Sequence, residues 1–308
     1  MGGGGGGYFG PRSDPEKLKQ KLRDSEARTT DAAYEAKVAE LLASLLTKYN
    51  NRNNEAINRH IEEIRKALQK ELEGTVDLLF GGSVAKQTYI DGFSDIDSLV
   101  ILDNCELADQ SPKAAKEYFA QRIRERFPKS QVEIGKLAVT VRFSDAEIQL
   151  LPAISCKNHI KIADKTGRAW SLISPKEFSS AFTRINQQVG RKVVPVIKLA
   201  KAIISNLPEK HQISGYHAES LAIDIFKNYK EGLKPKVMLK HFFQAACQRV
   251  RKPIIDRTGQ SVHVDDYLGP ANSLERRIVS DAFDRVYRRL NNADNASSLD
   301  EWNKLFGI

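Results

Sequence analysis

Two aspartates, Asp95 and Asp97, stand two residues apart in the stretch SDIDSLVIL, at the start of an apolar run. Because side chains alternate along a strand, both carboxylates are predicted to lie on one face of that strand. Two like charges on one face repel each other unless a cation joins them. Hard oxygen ligands suit Mg²⁺, which commonly joins protein carboxylates to substrate phosphates. A lone Asp-x-Asp is typical of a solvated strand start, and it is the glycine turn upstream and the flanking apolar strands that favour a site for Mg²⁺ or Mn²⁺ here.

A glycine turn lies upstream of the acidic pair, in GGSVAKQT. Glycine lets the backbone approach a polyphosphate closely, and the hydroxyl of Ser83 adds a hydrogen-bond donor. Gly82 and Ser83 are thus predicted to cradle phosphate ahead of the metal-holding pair.

The flanking sequence supplies the elements that must position these residues. Short β-rich runs (TVDLLF, IDSLVIL, KLAVTVRF, EIQLLPAI) follow a helical lead-in, and helical periodicity returns after Pro175. We predict an α/β + α fold in which a mixed-sheet lobe packs on a helical lobe. The expected divisions are a flexible glycine-rich tail at 1–12, a helical lead-in at 13–73, the sheet lobe at 74–170 and the helical lobe at 171–308.

The composition narrows the function classes. Among the 308 residues, Lys and Arg exceed Asp and Glu by 48 − 39 = 9, which favours polyanionic partners or a basic soluble surface. Three distant cysteines (Cys105, Cys156 and Cys247) without CxxC spacing argue against a disulfide framework or zinc site and indicate a reducing compartment. No apolar run approaches the ~20 residues of a membrane span, and no signal peptide is visible. We expect a cytoplasmic protein without a membrane partner.

The stretch GGSVAKQT…SDIDSLVIL resembles the signature of polymerase-β-type nucleotidyltransferases, in which a Gly-Ser turn and a helix precede Asp-x-Asp on a strand. It is most similar to the branch of the 2′-5′ oligoadenylate synthetases and bacterial cyclic-oligonucleotide synthases, which make signal nucleotides and, in bacteria, serve antiphage defence. The resemblance implies a two-lobed nucleotidyltransferase fold with Asp95 and Asp97 as the metal-binding catalytic carboxylates. The nucleotide-binding residues expected from this signature are Gly82, Ser83, Lys86 and Thr88.

Two later segments extend the resemblance. VVPVIKLAKAI resembles the family's spine helix, whose basic residues hold a triphosphate, a role that falls on Lys198 and Lys201. These lysines are three residues apart and share one helix face. SGYHAESLAI resembles the next segment, which implies that Ser214 and Tyr216 help to hold the nucleotide.

The sequence departs from the family pattern at the third carboxylate, where DAEIQLLPAI places Gln149. An amide offers a metal its carbonyl oxygen but cannot act as a general base. Glu147 is two residues earlier, on the same strand face and roughly 6–7 Å away. Three interpretations stay open: two carboxylates with Gln149 as a weaker third ligand, substitution by Glu147 after a backbone shift, or nucleotide binding without turnover.

A tyrosine follows the glycine string at the N-terminus, in MGGGGGGYFG. Tyr8 is a candidate priming hydroxyl for oligonucleotide synthesis or a lid over the cleft, against the alternative of an unstructured tail. The stretch of about five residues between Tyr8 and the first helix spans at most ~17 Å when extended. A second polar segment, Asp256–Gly269, is either a solvated connection between helices or a loop that contacts a base.

The leading hypothesis is a metal-dependent nucleotidyltransferase. It would polymerise NTPs or dNTPs into a short cyclic or linear oligonucleotide, release pyrophosphate and act in antiphage defence. One alternative is a catalytically weak or silent regulator that binds nucleotide or oligonucleotide and acts on an effector protein. Another is a nucleotidyltransferase that modifies RNA or protein. The expected partners are the triphosphate substrates, the oligonucleotide product and an effector protein.

Overall fold

The computed structural model describes residues 15–50, 54–69, 75–80, 96–103, 106–135, 137–156, 159–164, 166–173, 175–254 and 264–308. Its helices are α1 (Pro15–Asn50), α2 (Asn54–Gln69), α3 (Pro112–Arg126), α4 (Pro175–Gln188), α5 (Val193–Ser205), α6 (Gly215–Phe226), α7 (Pro235–Arg249), α8 (Leu274–Asn295) and α9 (Leu299–Phe306). Its strands are β1 (Thr75–Phe80), β2 (Ile96–Asp103), β3 (Gln131–Ile134), β4 (Val139–Arg142), β5 (Glu147–Cys156), β6 (His159–Ala163) and β7 (Trp170–Ile173).

These strands form one sheet in the order β1-β2-β5-β4-β3, and β6 joins β5 to β7. The pair β2·β5 is parallel, whereas the other described pairs are antiparallel. The mixed-sheet lobe expected from the sequence is thereby confirmed. Pro152 lies on β5 where the neighbour on one side changes from β4 to β6, so the residue without an N–H falls at an interruption of that ladder.

One face of this sheet forms the core of the sheet lobe. Alternate residues of β2, β4 and β5, among them Val100, Val141, Ile148 and Leu150, are buried against α2 and α3, and α3 contributes Phe119 to this core. Because strand side chains alternate, the positions between them lie on the opposite face. Asp97, Thr140 and Gln149 occupy such positions.

The helical lobe has its own core, built from α1 and α4 to α9. The two lead-in helices divide between the two cores. Tyr34, Val38 and Leu42 of α1 belong to the helical core, whereas Ile64 and Leu68 of α2 belong to the sheet core. The two-lobed prediction is confirmed. None of the described helices is long and apolar enough to cross a bilayer.

Serine caps begin several of these helices. Ser111, Ser214, Ser273 and Ser298 each accept a hydrogen bond from the backbone N–H three residues on, which satisfies a donor that the first turn would otherwise leave unpaired. The cap at Ser214 matters most here, because this residue is a predicted nucleotide contact.

Candidate functional site

The sheet side of the site is defined by the register of β2 and β5. Asp97 pairs with Gln149 across the parallel ladder, and Gln149 pairs with Thr140 of β4 on its other side. Paired residues on neighbouring strands share a sheet face, so the register brings the positions of Asp97 and Gln149 together. Gln149 is half-buried there.

Several predicted residues lie outside the part of the chain that the structure describes, and for Asp97 only the backbone is described. The residues outside it are Tyr8, Gly82, Ser83, Lys86, Thr88 and Asp95. Their roles stay predictions.

Glu147 is engaged by a neighbouring arginine. Arg142 Nε donates to Glu147 Oε2 at 2.8 Å, and Arg142 Nη1 donates to Glu133 Oε2 at 3.0 Å. The hydrogen bond to Glu133, and then the one to Glu147, raises the pKa of Arg142. A carboxylate held by a guanidinium competes poorly for a metal ion, since the cation already offsets its charge.

The helix side of the site begins on α5, a largely apolar helix that buries both predicted lysines. Lys198 and Lys201 are 4% and 6% exposed. Lys198 Nζ donates to Oδ1 of Asn50, the last residue of α1. Lys201 Nζ lies 2.7 Å from Glu219 Oε1 of α6, and Glu219 is itself only 1% exposed. A buried charge of this kind requires such a partner.

The N-terminus of α6 lies against Lys201. A Cβ built on Gly215 would be 3.3 Å from Lys201 Nζ, so only glycine leaves ordinary room for the ammonium beside this turn. Ser214 caps the helix by accepting from the N–H of His217 at 3.1 Å. A helix N-terminus with a lysine ammonium beside it is an environment that stabilises anions.

Tyr216 lies in the same turn and is half-buried. Its ring is 4.5 Å from the ring of Phe178 on α4, measured between centroids. The structure therefore brings Lys201, Ser214 and Tyr216 to one turn of α6 and places Lys198 by the end of α1.

Two residues near this turn, Glu219 and His217, were missed by the sequence-based prediction, and a third, Tyr267, lay within the segment Asp256–Gly269 without being singled out. The signal for Glu219 was available, because a carboxylate inside the apolar run HAESLAI needs a buried cation. Burial lowers the pKa of His217 to about 4, and no spacing in the sequence indicates that burial. Tyr267 belongs to a polar segment without periodicity.

The residue types at the sheet side of the site carry oxygen atoms, which are the ligands that a hard cation prefers. In the strand register, Asp97 is paired with Gln149. A carboxylate-bearing residue therefore stands beside a residue whose amide oxygen can bind a metal ion. Within the described residues, no group of three or more His, Cys, Asp or Glu side chains is placed to hold a metal. The second predicted carboxylate, Asp95, lies outside those residues.

The fold of the chain is similar to that of several solved structures. CdnC of E. coli MS115-1, solved with ATP, has a TM-score of 0.61 at 17% identity, covering 91% of this chain and 97% of CdnC. Escherichia coli DncV in its 3'-deoxy GTP bound form has a TM-score of 0.64 at 14% identity, covering 96% and 91%. The Vibrio cholerae DncV cyclic AMP-GMP synthase has a TM-score of 0.61 at 13% identity, covering 94% and 90%. At these identities the likeness shows the fold.

A search of curated proteins found no match. The model of the Second Messenger Oligonucleotide or Dinucleotide Synthetase domain matches residues 35–186. These residues include the signature stretch, the parallel β2·β5 pair and Gln149. Residues 35–186 therefore form a domain of this synthetase family, and the chain is a nucleotidyltransferase.

Proposed function

We propose that this nucleotidyltransferase joins nucleoside or deoxynucleoside triphosphates into a short cyclic or linear oligonucleotide, releases pyrophosphate and serves as a signal producer in antiphage defence. The observation that carries the proposal is the family domain that contains the β2·β5 pair, with Asp97 beside Gln149. Two structures of the Vibrio cholerae DncV cyclic AMP-GMP synthase support it, one of them in complex with the linear intermediate 5' pppA(3',5')pG.

The triphosphate is assigned to the α6 turn and the neighbouring lysines. The ammonium of Lys201, the positive N-terminal end of α6 and the Ser214 hydroxyl offer positive charge and donors to phosphate oxygens. Lys198 adds a second cation, and Tyr216 completes the turn. During in-line attack on the α-phosphate, Lys198, Lys201 and Ser83 screen the charge on the departing pyrophosphate.

Asp95 and Asp97 are assigned to a bound Mg²⁺ or Mn²⁺, with the amide oxygen of Gln149 as a neutral third ligand. When bound, such an ion lowers the pKa of an attacking hydroxyl and offsets the charge of the triphosphate. We assign the third ligand to Gln149 rather than Glu147 because Arg142 engages the Glu147 carboxylate. Gln149 cannot accept a proton as a general base.

The deciding experiment is incubation with each labelled NTP and dNTP plus Mg²⁺ or Mn²⁺, followed by mass analysis of the small products and of the protein. We expect a short oligonucleotide and metal-dependent pyrophosphate release, both abolished by Asp95→Asn/Asp97→Asn. The same analysis of Tyr8→Phe tests priming, for which a covalent nucleotide on the wild-type protein is the expected mark. Pyrophosphate release that survives the double substitution would overturn the assignment of the acidic pair.

A regulator that binds nucleotide without turning it over is the second candidate, and Gln149 favours it. Binding of NTP with no pyrophosphate release under any metal would select this candidate. Transfer of the labelled nucleotide to RNA or protein, in place of small products, would select the third candidate, a nucleotidyltransferase that modifies RNA or protein. An effector protein is the proposed partner in either signalling case, by analogy with the CdnC:HORMA-deltaN complex.

A further inference from the structure

Two connections of the helical lobe, residues 189–192 between α4 and α5 and residues 227–234 between α6 and α7, form a basic surface. Its exposed cations are Arg191, Lys192, Lys227, Lys230 and Lys234. Within the described part of the chain, none of these cations is paired with a carboxylate. Glu231, the acidic residue of the two connections, is bound by His241 Nδ1 at 3.0 Å. The positive charge of this surface is therefore uncompensated.

The two connections are in contact with each other. A Cβ built on Gly190 would lie 3.5 Å from Leu233 Cδ1, an ordinary van der Waals distance. Leu233 is itself 46% exposed, so a large apolar side chain lies among the basic ones. Apolar side chains with a charged surround are typical of surfaces that bind other proteins.

Both connections are held in place by their own hydrogen bonds. Arg191 N–H donates to the carbonyl of Asn186 at 2.6 Å, and Arg191 has φ 60°, a conformation that costs a non-glycine residue free energy. Tyr229 Oη donates to the carbonyl of Gly232 at 2.7 Å, and its ring centroid is 4.9 Å from that of His241. A surface that is ordered before binding loses little conformational entropy when a partner covers it.

A cavity of about 420 Å³ opens beside the basic surface, and Lys234 and Tyr287 are among the residues that line it. Its other ammonium groups are already neutralised. Lys236 Nζ lies 3.1 Å and Lys240 Nζ 2.7 Å from the carboxylate of Asp294. The cavity therefore offers space and contact area to a side chain rather than charge to an ion.

We propose that the basic surface docks an acidic segment of a partner protein, and that this segment carries a large apolar side chain. The exposed cations complement its acidic residues, and Leu233 and the cavity receive the apolar side chain. Carboxylates of Glu35, Glu231 and Asp294 line the cavity and would repel the phosphates of a nucleic acid. Nucleic-acid interfaces are also more polar than protein interfaces, so the exposed leucine favours a protein.

This inference does not rest on the proposed function. The basic surface begins where α6 ends, whereas Ser214 caps the start of the same helix. The 12 residues of α6 separate the two by about 18 Å. A docked segment would therefore leave the proposed triphosphate contacts uncovered.

The test measures the binding of labelled probes to the full chain by fluorescence anisotropy, without nucleotide. The probes are an Asp/Glu-rich peptide with one central Leu, the same peptide with Ala in that place, and single-stranded DNA of equal net charge. We expect the Leu peptide to bind at least about fivefold more tightly than the Ala peptide, since burial of the leucine side chain is favourable. Leu233→Ser should reduce this preference to within about twofold.

Charge reversal tests the cations. Lys230→Glu/Lys234→Glu should weaken binding of the Leu peptide at least about tenfold, because it replaces attraction by repulsion. The matched control is Lys129→Glu/Arg168→Glu, which reverses two exposed cations of the sheet lobe and changes the net charge equally. It should stay within about threefold of the wild type. Binding of the DNA should change no more in Lys230→Glu/Lys234→Glu than in this control.

Several outcomes would overturn the proposal. A wild-type protein that does not bind the Leu peptide, or that binds the Leu and Ala peptides equally, would do so, as would an unchanged preference in Leu233→Ser. Equal losses in the two double variants would show attraction by net charge alone. DNA binding that Lys230→Glu/Lys234→Glu weakens more than the control does would assign the surface to nucleic acid. Because no measurement involves NTP, failure of the proposed function would leave each of these results unchanged.

Discussion

At the scale of single residues, the acidic site differs from its family pattern by one functional group. Gln149 stands beside the position of Asp97, where the resemblance implies a third carboxylate. An amide oxygen carries no charge, so it contributes less to holding a divalent ion than a carboxylate does. We infer that the neutral side chain of Gln149 lowers the affinity of this enzyme for a divalent metal ion.

A substitution tests that inference. Gln149→Asp should lower the Mg²⁺ concentration that gives half-maximal pyrophosphate release by at least about tenfold, since it adds a charged ligand at the same position. The measurement is a metal titration of the initial rate at saturating NTP.

Glu147→Gln is the matched variant, because it changes a carboxylate to an amide two residues away on the same strand face. With Glu147 engaged by Arg142, the metal titration should be unchanged. A rate that falls at least about tenfold in Glu147→Gln would transfer the third-ligand role to Glu147.

At the scale of elements, α5 and α6 are joined by one buried ion pair. Lys201 of α5 and Glu219 of α6 are both nearly inaccessible, and Gly215 lets the ammonium pass beside the first turn. Removal of one partner from a buried pair leaves an uncompensated charge and costs about 3–5 kcal/mol. Glu219 therefore compensates the charge of Lys201, and under the proposed function it does so until a triphosphate binds.

Glu219→Gln should lower the free energy of unfolding by about 3 kcal/mol without ligand. Since a bound triphosphate supplies the missing negative charge, NTP with Mg²⁺ should raise Tm more in this variant than in the wild type. Thermal unfolding with and without NTP measures both effects. The Glu219→Gln/Lys201→Met variant should regain ligand-free stability and lose the NTP response. Equal Tm gains in Glu219→Gln and wild type would contradict the compensation.

At the scale of the whole molecule, α1 is hydrogen-bonded to the C-terminal helices α8 and α9. Trp302 Nε1 donates to Tyr34 Oη at 2.8 Å, and Tyr34 Oη lies 3.0 Å from the carbonyl oxygen of Ala293. Trp302 is fully buried. Loss of the Tyr34 hydroxyl would leave a buried indole N–H without this acceptor.

Tyr34→Phe should therefore lower the free energy of unfolding by about 1–3 kcal/mol, the usual cost of a buried donor left unsatisfied. Denaturant unfolding measures the change. Tyr287→Phe, which removes a half-buried tyrosine hydroxyl from α8, should stay within about 0.5 kcal/mol of wild type. A Tyr34→Phe protein as stable as the wild type would show that Trp302 finds another acceptor.

The architecture was predictable from the sequence where periodicity carries the information. Alternation in IDSLVIL and EIQLLPAI indicates the strands that the structure contains, and the strand register brings Asp97 to Gln149. The partition of α1 and α2 between two cores was not predictable, because an amphipathic helix shows that it has a buried face and not which core covers it. The Lys201–Glu219 pair and the contact between Gly190 and Leu233 arise from packing between distant segments, which leaves no periodic trace.

Because the two lead-in helices belong to different cores, labels on them allow the distance between the two lobes to be measured by spectroscopy. Lys48 on α1 and Arg59 on α2 are both exposed, and their helices belong to different cores. A donor and an acceptor dye at these positions would each be attached to one lobe. Energy transfer between them would then report any change in the distance between the two lobes when a nucleotide binds.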